Sequence, residues 1–274
     1  MATLTIGSTP VGFPVGFAYS HLQVIHDSGL ELEVVGERAD GQWDIRAAYQ
    51  PAPYPDGYLT TYEIDLGEDR TSEQVWGILN QVTNQFIAAQ NTGEVSLNYS
   101  ALTYNSNTFV STLLYVVGIN VSNYIPSYEH LGSTGNALFW ESDSPDLQLH
   151  GYEDNDIIRS GWGDDHLFGM DGNDNLQGAN GDDILEGGNG DDLLYGGRDD
   201  DILSGGSGQD ELQGGLGDDQ LDGGSGNDIL SGGDGDDVLD GGAGSDIIFG
   251  GDGSDSLQMG FGETLISEGG KISP

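Results

Sequence analysis

The chain has 274 residues, 47 acidic against 6 basic, a formal net charge of −41 and no cysteine. Such acidity excludes nucleic acid and anionic membrane as direct partners. The lack of cysteine excludes disulfides and thiolate chemistry. The charge is uneven: residues 1–150 carry 17 acidic and 3 basic residues, and residues 151–274 carry 30 and 3. No apolar run approaches the length of a membrane span, and the start, Met1 to Phe13, lacks the basic and apolar regions of a Sec signal.

Residues 1–148 are long enough for one domain with its own core. His21 to His26 reads as a strand, Asp27-Ser28-Gly29 as a turn, and Leu30 to Gly36 as the returning strand of a hairpin. Trp43 to Tyr49 and Tyr58 to Leu66 are two further strands, separated by the loop Pro51 to Gly57. Ser72 to Gln90 reads as a helix, with Thr71 and Gln74 as a capping box and Val75, Leu79, Val82 and Phe86 as its apolar stripe. A second helix is expected from Asn107 to Val117, ended by Gly118 at the C′ position. Leu138 to Trp140 reads as a last strand and Ser142 to Gln148 as a linker. The expected class is α+β.

From Gly151 to Gln258 one nine-residue unit repeats twelve times without a gap. Gly187-Gly188-Asn189-Gly190-Asp191-Asp192-Leu193-Leu194-Tyr195 is a typical copy. Position six is always aspartate: Asp156, Asp165, Asp174, Asp183, Asp192, Asp201, Asp210, Asp219, Asp228, Asp237, Asp246 and Asp255. Position eight is always Leu or Ile. Glycines at positions one, two and four permit positive φ, so positions one to six are expected to form a loop and seven to nine a short strand. Two units make one coil, and twelve make six coils of an all-β parallel β-roll over residues 149–258. One aliphatic side chain per nine residues is too little burial to offset the ordering of so much glycine. The missing stability has to come from a ligand, and stacked carboxylates and loop carbonyls suit Ca²⁺, a hard cation that takes six to eight oxygens. The departures Tyr152, Ser160, Met170 and Ala179 at positions one and two, and Asp154 and Asp199 at position four, predict weaker sites in the first coils.

This repeat resembles the calcium-binding nonapeptide of RTX (hemolysin-type) proteins. The resemblance implies bound calcium at the twelve aspartates and an extracellular protein exported by the type I secretion machinery of a Gram-negative bacterium. Residues 259–274 are where an uncleaved C-terminal secretion signal would lie, although Glu263 to Ser267 reads equally as a capping strand. Cytosolic calcium is too scarce to fill weak sites, which points the same way.

The N-terminal residues lack the His-Glu-x-x-His of a zincin, the Gly-x-Ser-x-Gly of a hydrolase elbow and a P-loop. Tyr104-Asn105-Ser106-Asn107-Thr108-Phe109 opening a helix resembles the nucleophile motif of circularly permuted papain-like hydrolases, the PPPDE, LRAT-like and NlpC/P60 group. Ser20-His21-Leu22-Gln23 at a strand start keeps the order in which that group's histidine comes first. Serine stands at Ser106 where the group has cysteine. A hydroxyl there needs His21 as general base and an oxyanion hole, for which Asn105 or nearby backbone N–H groups are available. Ser106 is equally a preferred N-cap, and His21 a strand-end histidine bonded to backbone. Three readings therefore stand: a Ser/His amide or ester hydrolase, a silent domain binding a peptide, glycan or cell surface, and a purely structural or adhesive protein.

Overall fold

The computed structural model describes residues 4–12, 18–26, 30–37, 43–49, 60–64, 66, 70–92, 113–119, 145–258, 260, 265–267 and 271–273. The chain forms two compact units, Met1–Ser144 and Pro145–Pro274.

In the first unit, strands β1 (Leu4–Gly12), β2 (Ala18–His26), β3 (Leu30–Glu37), β4 (Trp43–Tyr49) and β5 (Thr60–Glu63) form one antiparallel sheet of order β4-β3-β2-β1-β5. Strand β1 goes beyond the sequence expectation, which has no element before His21, and it includes Gly7, Pro10 and Gly12. The register explains their place: β5 pairs only with Thr5 to Ser8, so Pro10 lies on a stretch of β1 that β5 does not reach and owes no ladder bond on that side.

Helix α1 (Ser72–Thr92) starts where the capping box places it. The Thr71 N–H donates to Gln74 Oε1 at 2.8 Å, and the Gln74 N–H donates to Thr71 Oγ1 at 3.3 Å. Val75, Leu79, Val82 and Phe86 are all buried. Residues 113–116 are helical and end as expected. Gly118 has φ 73°, its N–H reaches Tyr115 O at 2.9 Å, and the Ile119 N–H reaches Leu114 O at 2.8 Å. That pair of bonds is a Schellman motif. Arg70 ties the two helical stretches together, donating to Val117 O at 2.7 Å and Leu66 O at 2.9 Å. The expected helix start at Asn107, the strand Leu138 to Trp140 and the loop Pro51 to Gly57 lie outside the described residues.

The second unit is the parallel β-roll. Its eight-stranded sheet contains β6 (Gln148–His150), β8 (His166–Asp171), β10 (Ile184–Asn189), β12 (Ile202–Ser207), β14 (Gln220–Ser225), β16 (Val238–Asp240), β18 (Ser256–Gln258) and β20 (Lys271–Ser273). Its seven-stranded sheet contains β7 (Ile157–Trp162), β9 (Asn175–Asn180), β11 (Leu193–Arg198), β13 (Glu211–Leu216), β15 (Ile229–Asp234), β17 (Ile247–Asp252) and β19 (Leu265–Ser267). Pairing is in register every 18 residues, as in Leu185 opposite Leu203 and Leu194 opposite Leu212. Every position-eight side chain, from Ile158 to Leu257, is buried between the sheets.

Three expectations need correction. Most strands are six residues long, running from position seven through position three of the next unit, so the loop is only positions four to six. Positive φ occurs at positions two and four but not one: Gly188 has φ 113° and Gly190 φ 131°, while Gly187 is absent from that group. The roll also begins before residue 149. Leu147 and Leu149 are buried and Gln148–His150 pairs with β8, so the end of the expected linker is a degenerate unit with Leu147 at position six.

Candidate metal centre

Four kinds of hydrogen bond tie the loops to neighbouring coils, and not every loop makes all four; the Gly181 N–H, for one, donates to Asp199 Oδ2 at 3.3 Å. The position-seven N–H donates to the position-six carbonyl of the preceding coil, as Ile202 to Asp183 at 2.8 Å. The position-four N–H donates to the position-three carbonyl of the following coil, as Gly190 to Ser207 at 2.7 Å. The position-six N–H donates to Oδ1 of the following position-six aspartate, as Asp192 to Asp210 at 2.8 Å. The position-five N–H donates to the side-chain oxygen of the preceding position five, as Asp200 to Asp182 at 3.0 Å. Sequence reasoning misses this last ladder, whose signal is the run of Asp, Asn, Gln and Ser at position five. It skips the step from Gln209 to Asn227, where the longer glutamine side chain puts its oxygen out of register.

With those bonds made, one oxygen per loop remains. Oδ2 of Asp165 and of every later position-six aspartate through Asp255 is buried without a hydrogen-bond partner. A buried carboxylate oxygen left unpaired costs several kcal/mol, roughly, unless a cation or a proton meets it. The space in front of it is defined by glycine. A Cβ added at Gly223 would lie 2.7 Å from Asp228 Oδ2 and 2.9 Å from the Gly241 carbonyl of the next coil. At Gly187 the same Cβ would meet Asp192 Oδ2, and the Gly205 carbonyl at 2.7 Å. Position one is therefore glycine for space, and the space is lined by carboxylate and carbonyl oxygen.

Burial pushes these carboxylates well above the usual range. Asp183 and Asp201 are raised to about 8, Asp165, Asp174 and Asp219 to about 7, and Asp192 and Asp228 to about 6; Asp210 and Asp237 are also raised. The backbone N–H bond to Oδ1 pulls in the opposite direction, and neighbouring carboxylates add to the rise. The two edges differ. Loops leading into the eight-stranded sheet carry aspartate at position five from Asp146 through Asp164, Asp182, Asp200 and Asp218 to Asp236, and serine, Ser254, in the loop before β18. Loops leading into the seven-stranded sheet carry Asn155, Asn173, Asp191, Gln209, Asn227 and Ser245.

The oxygen set fits Ca²⁺. It is hard, partly anionic and supplied largely by main-chain carbonyls on glycine loops. Among the described residues no three His, Cys, Asp or Glu side chains gather at one point, so a transition-metal centre has no support there. Asp156 is different from the other eleven: its Oδ2 accepts the Tyr152 N–H at 2.7 Å. The first loop also departs in backbone. Tyr152 and Asp154 do not take positive φ, whereas Met170, Ala179 and Asp199 do, at 87°, 99° and 72°. Ser106 and Asn105 lie outside the described residues. The backbone of His21 is in β2, opposite Thr9 of β1.

A parallel β-roll with an orphaned, buried carboxylate oxygen in eleven of its twelve repeats points to a calcium-binding protein. Residues 148–257 match the model of the RTX calcium-binding nonapeptide repeat in four copies, over residues 148–176, 168–203, 195–230 and 222–257. This segment is an array of RTX calcium-binding nonapeptide repeats. No curated protein matches the chain.

Proposed function

We propose that the protein works outside the cell, exported by type I secretion, with a roll that orders when it meets calcium and then carries the N-terminal unit. The observation that supports this most is the row of buried Oδ2 atoms without partners, Asp165 through Asp255. In calcium-poor cytosol those oxygens leave the roll unfavourable, which keeps the chain extended for export; in millimolar external calcium the cost is removed. Position-six aspartates supply the anionic ligand and loop carbonyls the rest. Residues 259–274 serve both as export signal and, through β19 and β20, as the last strands of the two sheets. The test is export from a Gram-negative host carrying a type I exporter. Loss of residues 259–274 should retain the chain inside. Undiminished export of the truncated chain would refute the route.

For the N-terminal unit we propose a Ser/His amide or ester hydrolase with Ser106 as nucleophile, His21 as base and Asn105 at the oxyanion. The support is the motif order; His21 is the fourth residue of β2 and not at the strand start that the motif has. A serine-directed phosphonate should label the wild type and leave Ser106→Ala unlabelled. Equal labelling of both, or none of either, would favour a silent domain that binds peptide, glycan or a cell surface.

A further inference from the structure

Eleven of the twelve copies have glycine at position one, and Ser160 is the exception. Its side chain is fully buried, and Oγ donates to the Gly178 carbonyl at 3.1 Å. Asp165 Oδ2 still has no hydrogen-bond partner, and burial raises its pKa to about 7, a rise that the nearby Ser160 hydroxyl moderates. In the copy at Gly187 the corresponding space lies between the Asp192 carboxylate and the Gly205 carbonyl. Ser160 thus places a Cβ and a hydroxyl between the two oxygens that a cation would otherwise bridge. The hydroxyl proton is already given to the Gly178 carbonyl, and the side chain fills space that stays open beside glycine in the other copies. The neighbouring first loop is closed by a different route, because the Tyr152 N–H occupies Asp156 Oδ2 at 2.7 Å.

We infer that Ser160 is a built-in plug that takes the place of calcium. The Asp165 cradle holds no ion, Asp156 is closed by Tyr152, and the calcium array starts at Asp174. This rests on the calcium reading of the roll and goes beyond it by dividing the aspartates into two that are closed from within and ten that await metal. Its consequence is that the first coil in the sequence is the part of the roll least dependent on calcium.

The test is an ion count by equilibrium dialysis of the full chain at saturating calcium, with circular dichroism confirming a folded roll. Ser160→Gly should bind one ion more per chain than wild type. Gly223→Ser installs the same hydroxyl where the added Cβ has 2.7 Å to Asp228 Oδ2 and 2.9 Å to Gly241 O; it should bind one fewer. Equal counts in wild type and Ser160→Gly would overturn the plug. If Ser160→Gly does not fold, an unchanged count in Gly223→Ser overturns it instead. A wild type that binds no calcium at all would sink the calcium reading itself, a result distinct from either.

Discussion

Helix α1 and the loops of the roll both expose main-chain N–H groups that need acceptors, and they find them differently. The helix closes its N-terminus with Thr71 and Gln74, a neutral pair three residues apart. The roll uses aspartate from 18 residues away, as Asp183 to Asp201 at 2.9 Å. Aspartate brings a second oxygen and a charge that the chain does not neutralise. The helix end is therefore complete in itself, whereas Oδ2 of Asp165 through Asp255 is left without a partner.

The largest effect that should separate the two is pH in the absence of metal. The raised carboxylates of the folded roll bind protons between about pH 4 and 8, where their unfolded counterparts do not. Their contribution to stability is thus fully present below about pH 4 and is lost as pH rises through the folded-state values of about 6 to 8. Chelated protein should gain strand signal when taken from about pH 8 to about pH 5. No gain in that interval would contradict the proton as a stand-in for the cation.

Core truncation comes next. Leu212→Ala and Leu79→Ala each remove a fully buried side chain and should cost about 2–5 kcal/mol. The difference lies in rescue: raising calcium should restore part of the lost thermal midpoint for Leu212→Ala and none for Leu79→Ala. Equal rescue of both would break the distinction. Asp201→Asn is smaller and should change sign with conditions. It keeps an acceptor for the Asp183 N–H but removes the anion. Calcium affinity at that site should fall roughly tenfold, about 1.4 kcal/mol, while the metal-free roll becomes no less stable. Destabilisation in chelator would show that Asp201 serves by its bonds alone. Thr71→Ala should cost about 1 kcal/mol, by the same amount with and without calcium in denaturant titrations.

The strict phase of position six and position eight makes the roll, its core and its aspartates legible in the sequence alone. Thr71, Gln74 and Gly118 do the same for helix ends, because capping is a local interaction. What escapes is non-local. Position-one glycine reads as a φ requirement, but the reason for it is Asp192 Oδ2 lying against Gly187, an approach set by folding the strand back. The position-five ladder joins residues 18 apart, and its Asp, Asn and Ser look like ordinary loop polarity. The degenerate unit at Leu147 lacks both the glycine pair and the aspartate. It is recognisable only by its pairing with β8.

Amide hydrogen exchange of the full chain, in chelator and in millimolar calcium at about pH 7.5, tests the need for metal most directly. The expected result is that β9 through β18 are protected only with calcium, while α1 exchanges at the same rate in both. Protection of β9 through β18 that persists in chelator would contradict it, since the orphaned oxygens would then be tolerated without a cation.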